Sequence, residues 1–222
     1  MKYKIHHYID LFYNKYYLPT VVNRLISKRR NKNKNFTLLT PNCIGGYIYH
    51  QLGVPFLSPT INLRIPLPDF YRYIMNLDSY NNLQFSPLPD NGVCPRGLLW
   101  DVEVYFSHYR SYEEAITIWK KRSLRIDRDN LYIIATDLDG ILEEDIAQLG
   151  NLKCKKMVVF TTRNYTFPYC FQVKAKESEG HVIPIRNMIK KTIRGKWKFE
   201  LFFDYVAWLN SDDTVAEHFR RD

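Results

Sequence analysis

Apolar and polar positions along the middle of the chain predict strands and helices in alternation. Four apolar runs predict buried strands, at Phe36–Thr40, Leu131–Thr136, Lys156–Thr161 and Cys170–Ala175. Apolar residues at helical spacing lie between them, most clearly after Ser111, which opens the capping-box pattern Ser-Tyr-Glu-Glu. This alternation predicts an α/β fold, a three-layer sandwich with a largely parallel or mixed sheet.

The stretch Leu98–Ser107 alternates cleanly between apolar and polar residues, which predicts one strand with a polar face. The predicted apolar face consists of Trp100, Val102, Val104 and Phe106. Asp101 and Glu103 would lie roughly 7 Å apart on the other face, as a general base or as metal ligands. The alternative is a half-exposed strand with charged outer residues. His108 and Tyr109 follow at the strand end, where α/β proteins place their ligand crevices.

Residues 1–34 form a segment of their own. Their apolar residues predict one or two amphipathic helices, interrupted at Pro19. The run Ser27–Asn35 then carries five positive charges and no acid. It could dock on anionic lipid or nucleic acid, or form a solvated linker before the first strand. We therefore divide the chain into a basic helical segment, 1–34, and a single α/β domain, 35–222.

Composition narrows the class of protein. Hydrophobic residues make up 45% of the 222 residues, enough for a sizeable core. The net charge of +9 favours anionic partners, although a basic surface can also serve solubility alone. The four cysteines lack CxxC spacing and indicate free thiols in a reducing compartment. With no signal-peptide pattern and no long apolar run, we expect a cytoplasmic protein. We expect no nucleic-acid partner, because no recognition motif is present.

The loop after the first predicted strand is a candidate anion site, formed by Asn42, Cys43, Gly45 and Gly46. A strand, a glycine-containing loop and a helix can present backbone N–H groups to phosphate, and glycines allow close approach. The loop matches neither GxGxxG nor a P-loop, so a tight turn is the alternative. Cys43 at a helix N-terminus could be a nucleophile. No His and Asp partners can be placed beside it, which favours a small buried cysteine.

The segment Asp137-Leu-Asp139-Gly140 follows an apolar run and resembles the nucleophile motif of haloacid dehalogenase-type phosphatases. Val158–Thr162 resembles their second, threonine-bearing strand. That motif normally opens its domain, whereas only 82 residues follow Gly140 here. A strand-to-helix turn is the favoured interpretation. DxD is also the metal signature of many nucleotide-sugar transferases, so the cofactor is left open between none, Mg²⁺ and Mn²⁺.

Several blocks in order resemble an uncharacterised bacterial family, domain of unknown function nineteen-nineteen. The first block is Asn42-Cys43-Ile44-Gly45-Gly46, Tyr49, Leu52-Gly53 and Ser58-Pro59-Thr60. The later blocks are Asp101–Tyr109, Glu113–Ala115, Trp119, Arg122, Arg125-Ile126 and Asp129–Leu131. Pro41 and Ile44 depart from the family pattern, which usually has Asn and Trp there. Members are often labelled exopolysaccharide biosynthesis protein, so the resemblance implies an α/β fold and a setting among capsule or exopolysaccharide genes.

The leading hypothesis is a cytoplasmic, glycosyltransferase-like enzyme of surface-polysaccharide assembly. A nucleotide sugar or phosphorylated glycan would lie over the Asn42–Gly46 loop, with charge-assisted contacts from Arg64 or Arg96. Asp101 or Glu103 would take the proton of an acceptor hydroxyl, with His108 orienting that carboxylate. Further candidate site residues are Tyr109, Arg122 and Asp139.

Residues 1–34 would contact the inner membrane face peripherally. Two alternatives stay open: a non-catalytic module that binds a glycan or a membrane-side partner, and a Mg²⁺-dependent phosphatase that uses Asp137 and Asp139.

Overall fold

The computed structural model describes residues 18–89, 92–173, 198–201 and 203–211, and every structural statement below concerns these residues. The chain divides into two compact units. The first unit contains residues 1–34, 50–53 and 176–222, and the second contains residues 35–49 and 54–175. The first unit thus draws on both ends of the chain, and the second holds all the described strands.

The elements follow one another in an α/β order. The strands are β1 (Thr37–Leu39), β2 (Phe85–Pro87), β3 (Arg96–Leu99), β4 (Val102–Tyr105), β5 (Leu131–Thr136), β6 (Lys156–Thr161) and β7 (Cys170–Gln172). The helices are α1 (Leu18–Arg30), α2 (Ile44–Leu52), α3 (Leu67–Met75), α4 (Leu77–Asn81), α5 (Tyr112–Ser123), α6 (Glu143–Gln148) and α7 (Tyr205–Asn210). Short 3-10 turns span Leu149–Asn151 and Lys198–Leu201.

Four strands form the parallel sheet that the apolar runs predict, in the order β1-β5-β6-β7. Every residue of β5 and β6 is buried, because these central strands are covered on both faces. Thr37 of β1 pairs with Leu131, and Phe160 of β6 pairs with Phe171 of β7. The predicted α/β class is confirmed.

A further sheet, with antiparallel order β2-β3-β4, does not follow from the sequence pattern. The predicted single strand Leu98–Ser107 is wrong, because the chain reverses at Trp100-Asp101 and pairs Leu99 with Val102. Alternation of period two runs unchanged through a two-residue hairpin loop, so the pattern conceals the reversal. Trp100 is therefore 75% exposed, not part of an apolar strand face, and Asp101 lies in the loop and not on a strand.

Helix boundaries also differ from the predictions. The sequence pattern predicts a short helix over Tyr47–Leu52, but α2 begins at Ile44, so Gly45 and Gly46 lie in its first turn and not in the loop. α5 follows the predicted capping pattern, since the Glu114 N–H donates to Ser111 Oγ at 3.2 Å. The short helix α4 has no counterpart in the sequence-based prediction.

The first unit contains α1, the 3-10 turn Lys198–Leu201 and α7. Pro19 lies in the first turn of α1, where a missing N–H costs no helical hydrogen bond. The predicted interruption of the N-terminal helices at Pro19 stays a prediction. Asp204 joins α1 and α7: its Oδ1 accepts from the Ala207 N–H at 3.1 Å and its Oδ2 from Arg30 at 2.6 Å. None of the described helices has the length and apolar character needed to cross a bilayer. The part of the predicted N-terminal helices before Leu18 lies outside the described residues.

Candidate functional site

Tyr105, at the end of β4, lies between two arginines. Its N–H and C=O exchange backbone hydrogen bonds with Arg64, both 2.8 Å long, which fixes the two residues side by side. Arg96 pairs with Tyr105 across β3 and β4. The guanidinium carbons of Arg64 and Arg96 lie 5.4 Å and 5.7 Å from the ring centroid, within the range of cation–π attraction. The ring thus holds two positive charges at defined positions.

The two arginines differ in their partners. Arg96 Nη1 donates to Glu103 Oε1 and its Nη2 to the Pro89 carbonyl, both at 2.8 Å. The guanidinium group of exposed Arg64 makes no ion pair or hydrogen bond with the described part of the chain. We call these four residues, Arg64, Arg96, Glu103 and Tyr105, the Tyr105 face. It holds one anchored cation and one unpaired cation, an arrangement suited to an anionic ligand.

Asp101 is engaged elsewhere. Its Oδ1 accepts a hydrogen bond from the Tyr80 hydroxyl, and its Oδ2 lies 3.2 Å from Nε of Arg72. Burial, and then the hydrogen bond with Asp101, raise the pKa of Tyr80 to about 12, so this hydroxyl stays a donor at neutral pH. Both carboxylate oxygens of Asp101 are therefore occupied by contacts that hold the hairpin loop in place. Glu103 has another oxygen, Oε2, to which the described residues donate no hydrogen bond.

His108 lies exposed in the turn after β4, and its ring makes no hydrogen bond or ion pair within the described chain. Tyr109 and Arg122 do meet. The Tyr109 hydroxyl donates to the Ile61 carbonyl and accepts from Arg122 Nη1, each at 2.9 Å. The Arg122 guanidinium carbon also lies 5.0 Å from the centroid of the Phe56 ring. These two predicted site residues connect α5 to the segment 56–61.

The first N–H groups of α2 are bound within the chain. The Ile44 N–H donates to Asn42 Oδ1 at 3.0 Å, and the Gly45 N–H donates to Thr40 Oγ1 at 3.3 Å. These are ordinary N-terminal helix caps, so neither group is open to a ligand phosphate. Phosphate binding at the Asn42–Gly46 loop stays a prediction.

Close packing explains why glycine occupies positions 45 and 46. A Cβ atom on Gly45 would lie 2.8 Å from Thr40 Oγ1, and one on Gly46 would lie 2.9 Å from Asn62 Oδ1. Only glycine lets these neighbours approach so closely. Burial raises the pKa of the Cys43 thiol above its ordinary value of 9.0, so the thiol is neutral at pH 7 and is not activated as a nucleophile.

Ser58 and Thr60 complete this buried polar cluster. Thr60 Oγ1 accepts from the Thr40 N–H at 3.1 Å and lies 3.1 Å from Ser58 Oγ. The Ser-Pro-Thr block thereby holds its segment against the end of β1. Its hydroxyl groups are fully buried and bonded to the chain itself.

Asp137 and Thr162 meet at the carboxyl ends of the neighbouring strands β5 and β6. Asp137 Oδ2 accepts from the Thr162 N–H at 2.7 Å and from its hydroxyl at 2.9 Å. Asp137 Oδ1 is buried and has no partner in the described chain. Asp139 and Gly140 have φ of +56° and +84° and form the predicted turn. Among the described residues, no three His, Cys, Asp or Glu side chains cluster so as to hold a metal ion.

Two features of the site do not follow from the sequence pattern. The ring of Tyr105 organises both arginines, and Trp100 is presented at the hairpin tip with φ of +61°. Recognising the hairpin loop would have revealed Trp100 at its tip and the pairing of Arg96 with Tyr105, but not the position of Arg64. In the sequence, the only sign of an irregular strand here is Gly97, an unusual residue inside a strand. In the structure, a Cβ on Gly97 would lie 2.9 Å from Phe85.

Comparison with known proteins agrees with the resemblance of the sequence motifs. Residues 14–210 match the family described as "Domain of unknown function (DUF1919)". An "Uncharacterized protein" of Haemophilus influenzae is 36% identical over 190 residues, which cover 85% of this chain and 90% of that relative. The chain therefore belongs to the DUF1919 family.

Proposed function

We propose that the protein is a glycosyltransferase-like enzyme of surface-polysaccharide assembly that binds a nucleotide sugar or phosphorylated glycan at the Tyr105 face. One observation carries the proposal: two guanidinium groups flank one ring, and that of Arg64 lacks a partner among the described residues. Two cations held apart by a ring, exposed Arg64 and half-buried Arg96, can bridge the oxygens of a diphosphate with little loss of side-chain entropy.

The two arginines would have different roles. Arg96 is held by Glu103 and the Pro89 carbonyl, so it is preorganised before the ligand arrives. Arg64 has its donors available and would form charge-assisted hydrogen bonds with the phosphate oxygens. As the bond between the anomeric carbon and the phosphate oxygen breaks, negative charge grows on the leaving phosphate. Both guanidinium groups would stabilise that charge.

Glu103 is the better candidate for the general base. Its Oε1 accepts from Arg96, whereas Oε2 accepts no hydrogen bond from the described residues and could take the proton of an acceptor hydroxyl. The deprotonated acceptor oxygen would then form the new bond to the anomeric carbon. Such base catalysis contributes about 100- to 10,000-fold to a rate.

The binding step is tested by calorimetric titration with nucleoside diphosphate sugars, with and without Mg²⁺ or Mn²⁺. Replacing Arg64 by Gln should weaken binding by about 10- to 100-fold, since hydrogen bonds to charged groups contribute about 1.5–3 kcal/mol. Arg110, also exposed, provides the matched control: Arg110→Gln should bind as the wild type does. Equal affinity of both variants, or no binding of any such sugar by the wild type, would refute the proposed site.

The catalytic step is tested by another pair of variants. Glu103→Gln can still accept the hydrogen bond of Arg96, so it should bind the donor but lose about 100-fold or more of the turnover. Asp101→Asn is the control, because Tyr80 and Arg72 already occupy that carboxylate. Normal turnover in Glu103→Gln would exclude Glu103 as the base. Ligand binding without turnover in the wild type would instead identify a non-catalytic binding module.

A second candidate function, phosphoryl transfer at Asp137, is supported by a separate observation. The buried Oδ1 of Asp137 lacks a partner in the described chain, while Thr162 holds Oδ2 in place at the sheet edge where α/β proteins bind ligands. A Mg²⁺-dependent hydrolysis of an aryl phosphate should then disappear in Asp137→Asn and persist in Arg64→Gln. Loss in Arg64→Gln alone would assign the activity to the Tyr105 face.

A further inference from the structure

Helix α1 exposes three apolar side chains and buries a polar one. Val22, Leu25 and Ile26 are 44%, 61% and 49% exposed, whereas Ser27 is 8% exposed. Residues three and four apart lie on one helix face, so these three side chains form a continuous strip that we call the apolar ridge. A surface helix normally turns such a strip towards the core. The inverted arrangement indicates that the ridge faces something other than water.

The side of α1 next to the apolar ridge accounts for how the helix is held. Arg30 pairs with Asp204 at 2.6 Å, and the Asn210 side chain donates to the Arg30 carbonyl at 2.8 Å. Burial raises the pKa of Tyr205, and this residue and Ser27 line the same small cavity, which places Tyr205 beside the polar face. α1 is therefore attached to α7 through polar contacts. Of the ridge residues, Ile26 lines a small cavity beside this attachment, whereas Val22 and Leu25 are not among the residues that line it.

The charged residues of α1 itself are all positive. The sequence of α1, LPTVVNRLISKRR, contains no acidic residue. Arg24, Lys28 and Arg29 are exposed on the helix, and Lys32 and Lys34 are exposed directly after it. Apolar side chains bordered by cations are the pattern of helices that lie in the interface of an anionic bilayer.

We propose that the apolar ridge of α1 docks on the surface of an anionic phospholipid bilayer. Val22, Leu25 and Ile26 enter the boundary between headgroups and acyl chains, and the neighbouring cations contact lipid phosphates. Three apolar side chains bury little area, so the binding is weak and reversible. This inference is independent of the proposed function, since it concerns the first unit alone.

The ridge is tested with the full-length protein by co-sedimentation with phosphatidylcholine vesicles that contain, or lack, phosphatidylglycerol. The wild type should bind only the anionic vesicles. Replacing both Leu25 and Ile26 by Ser should lower the partition coefficient by about tenfold or more. Leu124→Ser removes a side chain that is 90% exposed in the other unit and should leave the partition unchanged. Circular dichroism and thermal unfolding establish that all variants are folded.

The cations are tested in the same way. The double variant Lys28→Gln, Arg29→Gln should lose about fivefold in partition for each charge removed. Arg110→Gln with Lys121→Gln removes two exposed charges from the other unit and should have no such effect. Raised salt should weaken binding of the wild type further.

Three results would overturn the proposal. The first is equal binding of the wild type to neutral and anionic vesicles, or to neither. The second is unchanged binding of the Leu25→Ser, Ile26→Ser variant, which would leave charge as the only attraction. The third is a dimer in solution that this variant abolishes, because the ridge would then be covered by another copy of the chain.

Discussion

Two parts of the second unit differ in whether their polar groups have partners within the chain. Around Thr40–Gly46 the hydroxyl, amide and N–H groups bond to one another and to Thr60, and the glycines make that closeness possible. Around Tyr105 two guanidinium groups surround a ring, and that of Arg64 lacks a partner in the described chain. The Thr40–Gly46 loop has the sequence of a ligand site, but the N–H groups of Thr40, Ile44 and Gly45 bond to side chains of the chain itself. The Tyr105 face has the sequence of an ordinary strand, but its Arg64 guanidinium group has no ion-pair partner among the described residues.

The largest expected effect concerns packing at Gly45. Gly45→Ala should destabilise the protein by about 1–3 kcal/mol, because its Cβ would lie 2.8 Å from Thr40 Oγ1. Gly150→Ala is the control, since the nearest atom is the hydroxyl end of Tyr169 at 3.3 Å. Urea unfolding measures both. Equal stability of the two variants would mean that the loop has room, and that the glycines serve a ligand after all.

The thiol of Cys43 gives a kinetic comparison. Burial raises its pKa above 9.0, so the reactive thiolate is scarce at neutral pH and increases only at alkaline pH. Iodoacetamide should modify Cys43 severalfold more slowly in the folded protein than in urea, as measured by peptide mass spectrometry. Faster modification in the folded state would contradict a buried, neutral Cys43 thiol and would support the hypothesis of a catalytic cysteine.

Trp100 tests backbone strain in the β3–β4 hairpin that carries Tyr105. A non-glycine residue with φ of +61° costs about 1–2 kcal/mol, so Trp100→Gly should stabilise the protein by about 1 kcal/mol. Trp100→Ala keeps the strained backbone and should give no such gain. Thermal unfolding distinguishes the two variants. If both have the same stability, the backbone of the hairpin loop is unstrained.

The smallest effect is expected at the unpaired cation. Arg64→Met should lower stability by about 0.5 kcal/mol, the contribution of an exposed cation–π contact, since the side chain makes no ion pair in the described chain. Arg96→Met should cost about 1 kcal/mol, because Glu103 and the Pro89 carbonyl lose their donor. A loss at Arg64 as large as that at Arg96 would mean that Arg64 is structural and would remove the contrast between the two regions.

The sequence predicts the parallel sheet well because β5 and β6 are continuous apolar runs bounded by turns. Leu131–Thr136 and Lys156–Thr161 are strands with the predicted limits. The start of α5 at Ser111 is equally clear, since its cap is a local side-chain hydrogen bond. Such local signals survive without knowledge of the tertiary structure.

The site is harder to predict because it depends on pairing between distant segments. Arg64 reaches Tyr105 through a backbone bridge across about forty residues, and no periodicity records that contact. The reversal at Trp100 is hidden because the residue has neither the Asn nor the Gly that marks a two-residue hairpin. The glycines in the first turn of α2 predict a loop by their type alone, because glycine is more common there than in helices.

Because β1 pairs with β5, the first strand of each new chain cannot pair until β5 has been synthesised. Thr37 leaves the ribosome roughly ninety residues before its partner Leu131 is made. At a synthesis rate of about 5–20 residues per second, the three residues of β1 stay without a neighbouring strand for about 5–20 s. A nascent chain of this protein should therefore need a chaperone during translation more than a protein of equal size whose first strands form a hairpin.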